Sequence, residues 1–252
     1  MNDYNIKDLD LAGVHWEISD IPQATRAKWN GKSQPSTTTD NTNIISDSVV
    51  PPIAPTIEIS METAVAMASR PVDIENLIRM IAEFNHPLHS AATNVVLPSV
   101  AKNPNGLVVI TDVPGTDDDA SGQILSGPVG ELFDKMLAAI GMNRDTVSII
   151  PIMFWRTPGG RTPSESEMSL VRPFIDRLLE FLQPKVILTL GATAAKEIAN
   201  MNLSNSQGTI GETKNGIKVM PIYHPNYLFL KPSAKRDVWT ALQELQNLLK
   251  NQ

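Results

Sequence analysis

The chain has 252 residues, 42% of them hydrophobic, and a formal net charge of −6. It contains no cysteine, which excludes disulfides, thiolate metal sites and a cysteine nucleophile, and it holds no apolar run long enough to cross a bilayer. The first residues are polar and lack the apolar segment of a secretory signal, so the cytoplasm is the expected compartment. The acidity argues against a basic nucleic-acid coat, but residues 1–60 hold eight acids and four bases, against nineteen and seventeen in 61–252. The second part is near neutral, and local basic clusters there can still meet phosphates.

Taken in chain order, LDLAGVHWEISDIP reads as one short helix around Leu11 and Trp16. Residues 33–57 are rich in Ser, Thr, Asn and Pro without a sustained period, a composition that buries too little apolar surface to offset its ordering entropy. Residues 1–59 are therefore expected to be an N-terminal extension, a short helix and then a flexible linker, and 60–252 the folded domain. METAVAMASRPVDIENLIRMIAEF predicts two helices split at Arg70-Pro71, because proline restricts the residue before it. LVVIT (107–111) reads as a buried strand, and GPVGELFDKMLAAIG as a helix with Val129, Leu132, Phe133, Met136, Leu137 and Ile140 on one face and Gly141 as its stop. VSIIPIM (147–153) reads as a second strand, interrupted by Pro151. The next helix is expected to start with Thr162 as cap, Pro163 in the first turn and Glu165 closing a capping box. VILTL (186–190) and IKVMPIY (217–223) supply two more strands, and residues 233–250 a last helix with Val238, Leu242, Leu245 and Leu249 on one side. Strand and helix alternate four times, which predicts an α/β fold, a three-layer α/β/α sandwich around a central four-stranded parallel sheet.

In such folds the site lies beyond the carboxyl ends of the strands, here at Thr111-Asp112, Met153-Phe154, Gly191 and Tyr223-His224. Asp112 stands where a carboxylate faces the crevice, although a solvated acidic turn accounts for it too. The acids at 117, 118 and 119 diverge as consecutive side chains must, and no hydrated-metal motif accompanies them, so no metal site is expected. Arg156 and Arg161 flank a Gly-Gly loop that lets backbone approach a phosphate, and two exposed arginines on a surface turn are the plain alternative. Gly191 opens a helix whose N-terminus favours an anion, though tight strand-to-helix turns need small residues anyway. His224 is one of four histidines and sits at the end of the last strand, opposite Asp112. A lone histidine is more often structural than catalytic, and this position shifts that balance.

Together these segments resemble the uracil-DNA glycosylase superfamily, and within it the family 4, iron–sulfur branch. The family's G-E-A-P-G-x-x-E-D motif matches Thr111-Asp-Val-Pro-Gly-Thr-Asp-Asp-Asp119, and its G-x-P-F-V-G matches GQILSG (122–127). Its C-R-P-P-x-N-R-T-P matches Trp155 to Pro163, C-R-P-F-L matches VRPFI (171–175), L-G-x-x-A matches Leu190 to Ala194, and H-P-x-Y-L-L-x-x-P matches HPNYLFLKP (224–232). The resemblance covers residues 80 to 250, and WEISDIP is similar to an extension found in some members. The departures are as informative. The four cluster-binding cysteines correspond to Glu83, His86, Trp155 and Val171, so the resemblance implies a 4Fe-4S cluster that this chain is expected to lack. The uracil-reading Asn corresponds to Pro151, the Phe that stacks on the base to Leu125, and the Glu of the first motif to Asp112.

What the resemblance implies is hydrolysis of an N-glycosidic bond in DNA, with the nucleotide out of the stack. Asp112 and His224 are then the catalytic candidates, the first supporting an oxocarbenium-like sugar and the second donating to the leaving base. Val113, Pro114, Leu125 and Pro151 are expected around the base. Arg156, Arg161, Lys231, Lys235 and Arg236 are expected on phosphates, and Leu228 and Phe229 as a wedge in the duplex. DNA is the expected partner, the protein a monomer with no membrane attachment, and residues 1–59 a place for a protein partner. Three functions stay open at this point: a cluster-free DNA glycosylase with altered base choice, a catalytically silent relative that binds DNA or repair proteins, and a small-molecule domain that shares only the sheet. Asn94 and Asn226 are the two side chains that could replace the missing reader.

Overall fold

A computed structural model describes residues 60–251. The helix expected around Leu11 and Trp16 and the linker over 33–57 lie outside the described residues.

Among the described residues five strands form one sheet. β1 (Leu107–Thr111), β2 (Ser148–Pro151), β3 (Val186–Leu190) and β5 (Lys218–Ile222) run parallel, and β4 (Gly211–Glu212) adds an antiparallel edge, in the order β2-β1-β3-β5-β4. All of β1 and β3 is buried, as expected of central parallel strands covered on both faces. The expected four-stranded parallel sheet is present, and β4 extends it. Two residues with no alternating apolar pattern leave no signal of such a strand in the sequence. Pro151 ends β2, opposite Thr111, and β2 is an edge strand, where a missing backbone donor is tolerated.

Helices α1 (Met61–Ser69) and α2 (Ile74–Glu83) break at Arg70-Pro71 as predicted. Ser60 and Asp73 cap them, accepting from Thr63 N and Asn76 N. A short helix α3 (Thr116–Ser121) follows β1. Helix α4 (Gly127–Ala139) buries Leu132, Phe133, Met136 and Leu137, and the chain leaves it through Gly141 at φ +72°. Helix α5 (Glu165–Leu182) starts two residues later than expected. Its cap is Ser164, whose hydroxyl accepts from Glu167 N at 3.2 Å while the Glu167 carboxylate accepts from Ser164 N at 2.7 Å. The segment TPSESE contains two overlapping capping boxes at the same spacing, and the second prevails because Arg161 also grips Glu167. Helices α6 (Ala192–Ala199), α7 (Leu203–Ser206), α8 (Pro225–Leu230) and α9 (Lys235–Lys250) complete the described chain. No helix among the described residues is long and apolar enough to cross a membrane.

β1 connects to β2 on one side of the sheet, and the chain then returns to place β3 on β1's other side. The order therefore reverses between β1 and β3, which opens a crevice at their carboxyl ends. Asp112 and Gly191 are the first residues beyond those ends.

Candidate functional site

A cleft of about 650 Å³ occupies that crevice. Asp112, Val113 and Pro114 enter it from β1, and Arg156 and Arg161 from the loop after β2. Thr193 enters it from the first turn of α6, and His224, Asn226, Tyr227 and Leu230 from the segment after β5. Every parallel strand thus delivers a residue to one place.

The Asp112 carboxylate is seated on the N-terminus of α6. Its Oδ1 accepts from Ala194 N at 2.7 Å, and a helix N-terminus favours negative charge there. Burial wins nevertheless: it pushes the carboxyl up to about 6, against the amides of Ala194, Thr193 and Ala192 that favour the anion. The close seat explains Gly191. At φ +103° it occupies a region that L side chains avoid, and a β-carbon there would overlap the Asp112 carboxylate.

His224 caps α8. Its Nδ1 accepts from Asn226 N at 3.2 Å, which leaves the ring proton on Nε2, 3.0 Å from Thr111 Oγ1. Burial pushes the imidazole down to about 4, and the negative charge of Asp118 opposes this only in part. The ring is therefore neutral at physiological pH, with an N–H donor held inside the cleft.

The three adjacent acids separate as their geometry requires. Asp117 and Asp118 both line the cleft. Asp118 accepts from Ser126 N at 2.7 Å, from the Ser126 hydroxyl at 3.0 Å and from Gly115 N at 2.9 Å, which ties the loop after β1. Asp119 is buried and accepts from Thr93 N and Asn94 N. Among the described residues no three metal-binding side chains converge.

The other candidate residues fall partly inside the cleft and partly outside it. Leu125 and Pro151 were expected around the base, but both are buried and neither lines the cleft. Leu125 sits in a backbone turn at φ +50° and its carbonyl accepts from Arg144. Leu228 was expected in a wedge but is 1% exposed, because the α8 turn buries Pro225 and Leu228, three residues apart. Phe229 and Leu230 are the exposed apolar residues there, at 49% and 79%. Arg161 lines the cleft but is held bidentately by Glu167, at 2.8 and 2.6 Å. Lys231 and Arg236 are exposed but lie outside the cleft lining, and Lys235 is half-buried. Asn94 is committed, its amide donating to Asp119 O at 2.7 Å, whereas Asn226 lines the cleft. Thr111, Thr193, Tyr227 and Leu230 were not picked out from sequence. A helical reading of 225–230 would have exposed Leu230 and hidden Leu228.

The four positions that correspond to cluster ligands do not fit an iron–sulfur cluster. His86 is buried and stacks on Trp155 with 4.8 Å between centroids and 2° between planes. Trp155 and Val171 lie in one apolar core with Phe84, Phe154 and Phe174, and the sequence has no cysteine. Packed aromatic side chains fill this region, and no step of the chemistry below passes through a cluster.

The sequence profile of the uracil DNA glycosylase superfamily matches residues 98–246. The chain is 31% identical over 170 residues to the Type-4 uracil-DNA glycosylase of Archaeoglobus fulgidus, which spans 64% of this chain and 85% of that protein. It is 29% identical over 171 residues to the Type-4 uracil-DNA glycosylase of Thermotoga maritima, spanning 66% of this chain and 88% of that protein. The matched region contains β1 through most of α9, and with it every residue of the cleft. On that match and on the parallel sheet that carries the cleft, the chain belongs to the uracil DNA glycosylase superfamily.

Proposed function

We propose that the protein is a DNA glycosylase that hydrolyses the N-glycosidic bond of an extruded base, uracil or a related base, without an iron–sulfur cluster and with altered base selectivity. The observation that carries this reading is the convergence of Asp112 and His224 on one cleft, the first a carboxylate and the second a neutral N–H donor.

The bond between the sugar C1′ and the base nitrogen breaks with its electron pair leaving on the base. The sugar becomes oxocarbenium-like, and the ionised Asp112 stabilises that positive charge. Water adds to C1′; its proton passes to the carboxylate or to bulk solvent, and the base leaves as an anion that solvent protonates. His224 Nε2–H turns from Thr111 to the carbonyl oxygen of the leaving base, where negative charge gathers. A preorganised donor of this kind contributes about 3 kcal/mol to the barrier reduction. Extrusion of the nucleotide has an unstacking cost of a few kcal/mol, and the exposed Phe229 and Leu230 are the side chains to fill the vacated stack. Lys231 and Arg236 flank them as phosphate contacts.

Selectivity follows from what lines the cleft. Pro151, which has no side-chain donor or acceptor, lies outside that lining, and Asn226 supplies its side-chain amide. Among the described residues that amide has no hydrogen-bond partner, and an amide can present a donor or an acceptor alike. Relaxed discrimination between uracil and bases of opposite hydrogen-bond polarity is expected.

A catalytically silent DNA-binding relative is the second reading, favoured by the loss of both the reader and the stacking ring at positions 151 and 125. A panel of single-lesion oligonucleotides, single-stranded and duplex, separates the two. Base release that falls at least tenfold in His224→Ala supports the enzyme, and salt-dependent binding with no release of uracil, hypoxanthine, xanthine or alkylated bases supports the silent relative.

A further inference from the structure

The loop between β2 and α5 carries two arginines into the cleft, and their surroundings differ. Its tip is Pro158–Gly160, with Gly159 at φ +65° and Gly160 at φ +70°, and a β-carbon at either glycine would meet none of the described residues within 4 Å. Within the described residues these glycines lend the tip no side-chain support, so its position is set at its ends. At one end stands Trp155, next to Arg156, buried against His86. At the other end Arg161 forks onto Glu167 through Nη1 at 2.8 Å and Nη2 at 2.6 Å. The Glu167 side chain is only 12% exposed, and it also closes the capping box of α5 at Ser164. The Glu167 carbonyl, in turn, meets His86 Nε2 at 3.1 Å. His86 Nδ1 accepts from Leu88 N at 3.1 Å, so the proton is on Nε2 and His86 donates to Glu167. Inside the loop the Thr157 hydroxyl donates to Arg161 O at 2.6 Å, and Thr157 is fully buried. A continuous path of hydrogen bonds and one ring stack thus joins both ends of the loop to the buried aromatic group.

We propose that Arg161, Glu167 and His86 are positioning residues that brace the 156–162 loop at the mouth of the cleft, and that Arg156 is the loop's phosphate ligand. The DNA part of this proposal rests on the glycosylase reading above, and the bracing part does not. An exposed ion pair is worth little, at about 0–1 kcal/mol. This pair is a two-pronged fork on a carboxylate that is mostly buried and simultaneously caps a helix, which is the stronger arrangement. The alternative is that Arg161 is a phosphate ligand for which Glu167 merely competes. The two accounts predict opposite signs for Glu167→Gln. Competition predicts tighter DNA binding once the negative charge is gone, and bracing predicts weaker binding.

The test uses the full chain and a duplex oligonucleotide with one tetrahydrofuran abasic site, with binding followed by fluorescence anisotropy over a range of salt. Glu167→Gln and His86→Phe, which keeps the ring stack and removes the hydrogen bond, are expected to weaken binding at least fivefold. Arg156→Ala is expected to lower the slope of log affinity against log salt by about one, the signature of a lost phosphate contact, while Arg161→Ala leaves that slope unchanged. Tighter binding by Glu167→Gln, or a slope that drops for Arg161→Ala and not for Arg156→Ala, overturns the proposal. Limited trypsin digestion read by mass spectrometry tests the brace without DNA. Cutting after Arg156 and after residue 161 is expected to speed up at least tenfold in Glu167→Gln and in Arg161→Lys, which keeps the cleavage site and loses the fork, while cutting after the exposed Lys214 stays unchanged. Equal loop cutting in wild type and both variants overturns the brace. Should the wild type bind no DNA at low salt, the glycosylase reading fails and the digestion alone decides whether the loop is braced.

Discussion

The Nε2 of His224 lies 3.0 Å from the hydroxyl oxygen of Thr111, so the end of β1 holds the imidazole that caps α8. Thr111 is buried, and its hydroxyl is the partner of the ring N–H in the free protein. Thr111→Val leaves that donor unpaired inside the cleft and is expected to lower unfolding free energy by about 1 kcal/mol. Urea denaturation measures it, and a midpoint unchanged from wild type contradicts the assigned tautomer and contact.

On the proposed mechanism, Asp112 is expected to set the acid limb of activity. Its carboxyl titrates at about 6, and only the anion stabilises a positive sugar. The rate of base release is expected to fall as pH drops through about 6. His224, held down to about 4, keeps its neutral form throughout that range and adds no limb of its own above about 5. Single-turnover rates between pH 5 and 8 check this, and a rate that stays level down to pH 5 removes Asp112 from the chemistry.

The same two groups act on stability with opposite signs. The folded pKa of Asp112 is raised from 3.8 to about 6, so the native state binds the proton first and this group adds stability as pH falls from about 6 towards 3.8. The folded pKa of His224 is lowered from 6.5 to about 4, so the unfolded chain binds the proton first and stability is lost as pH falls from 6.5 to about 4. Glu167, which Arg161 holds well below the usual carboxylate range, acts only in stronger acid. Asp112→Asn is therefore expected to stabilise the protein at pH 7 by on the order of 2 kcal/mol and to steepen its loss of stability between pH 6 and 4. Thermal melts across that range read both effects. A variant no more stable than wild type at pH 7 contradicts the burial cost assigned to Asp112.

Gly191→Ala brings a methyl group onto the Asp112 carboxylate and fixes an L residue at φ +103°. The conformational strain alone is about 1–2 kcal/mol, and displacement of the carboxylate adds to it. A loss above about 2 kcal/mol is expected, together with loss of base release. Tolerance of alanine with activity intact would mean that the carboxylate need not sit on the α6 N-terminus.

Much of this architecture is legible in sequence because it rests on strong local signals. LVVIT and VILTL are unbroken apolar runs, as central parallel strands must be, and Arg70-Pro71 breaks a helix by sterics alone. Asp112 and His224 were placed by one topological rule, that chemistry gathers at the carboxyl ends of the strands. What sequence concealed depends on tertiary partners or on very short elements. The segment 225–230 is a six-residue helix, too short to announce its period in HPNYLFLKP, so Leu228, turned inward, and Leu230, turned outward, are told apart only once the helix is known. Leu125 matched the stacking position of the family motif, but it is buried and does not line the cleft. Thr162 and Ser164 offered equivalent caps, and the choice fell to Arg161 through Glu167, a contact that sequence does not display.

Joint action of Asp112 and His224 on one extruded nucleoside is read out by single-turnover base release from an oligonucleotide with one uracil. Wild type, His224→Ala, Asp112→Asn and the double variant are compared at pH 7.5. Each single change is expected to slow release at least tenfold, with the double variant slowed relative to wild type by less than the product of the two single effects, because the residues serve one transition state. Release by His224→Ala and Asp112→Asn at the wild-type rate, or the absence of any release by the wild type across the lesion panel, contradicts that joint action.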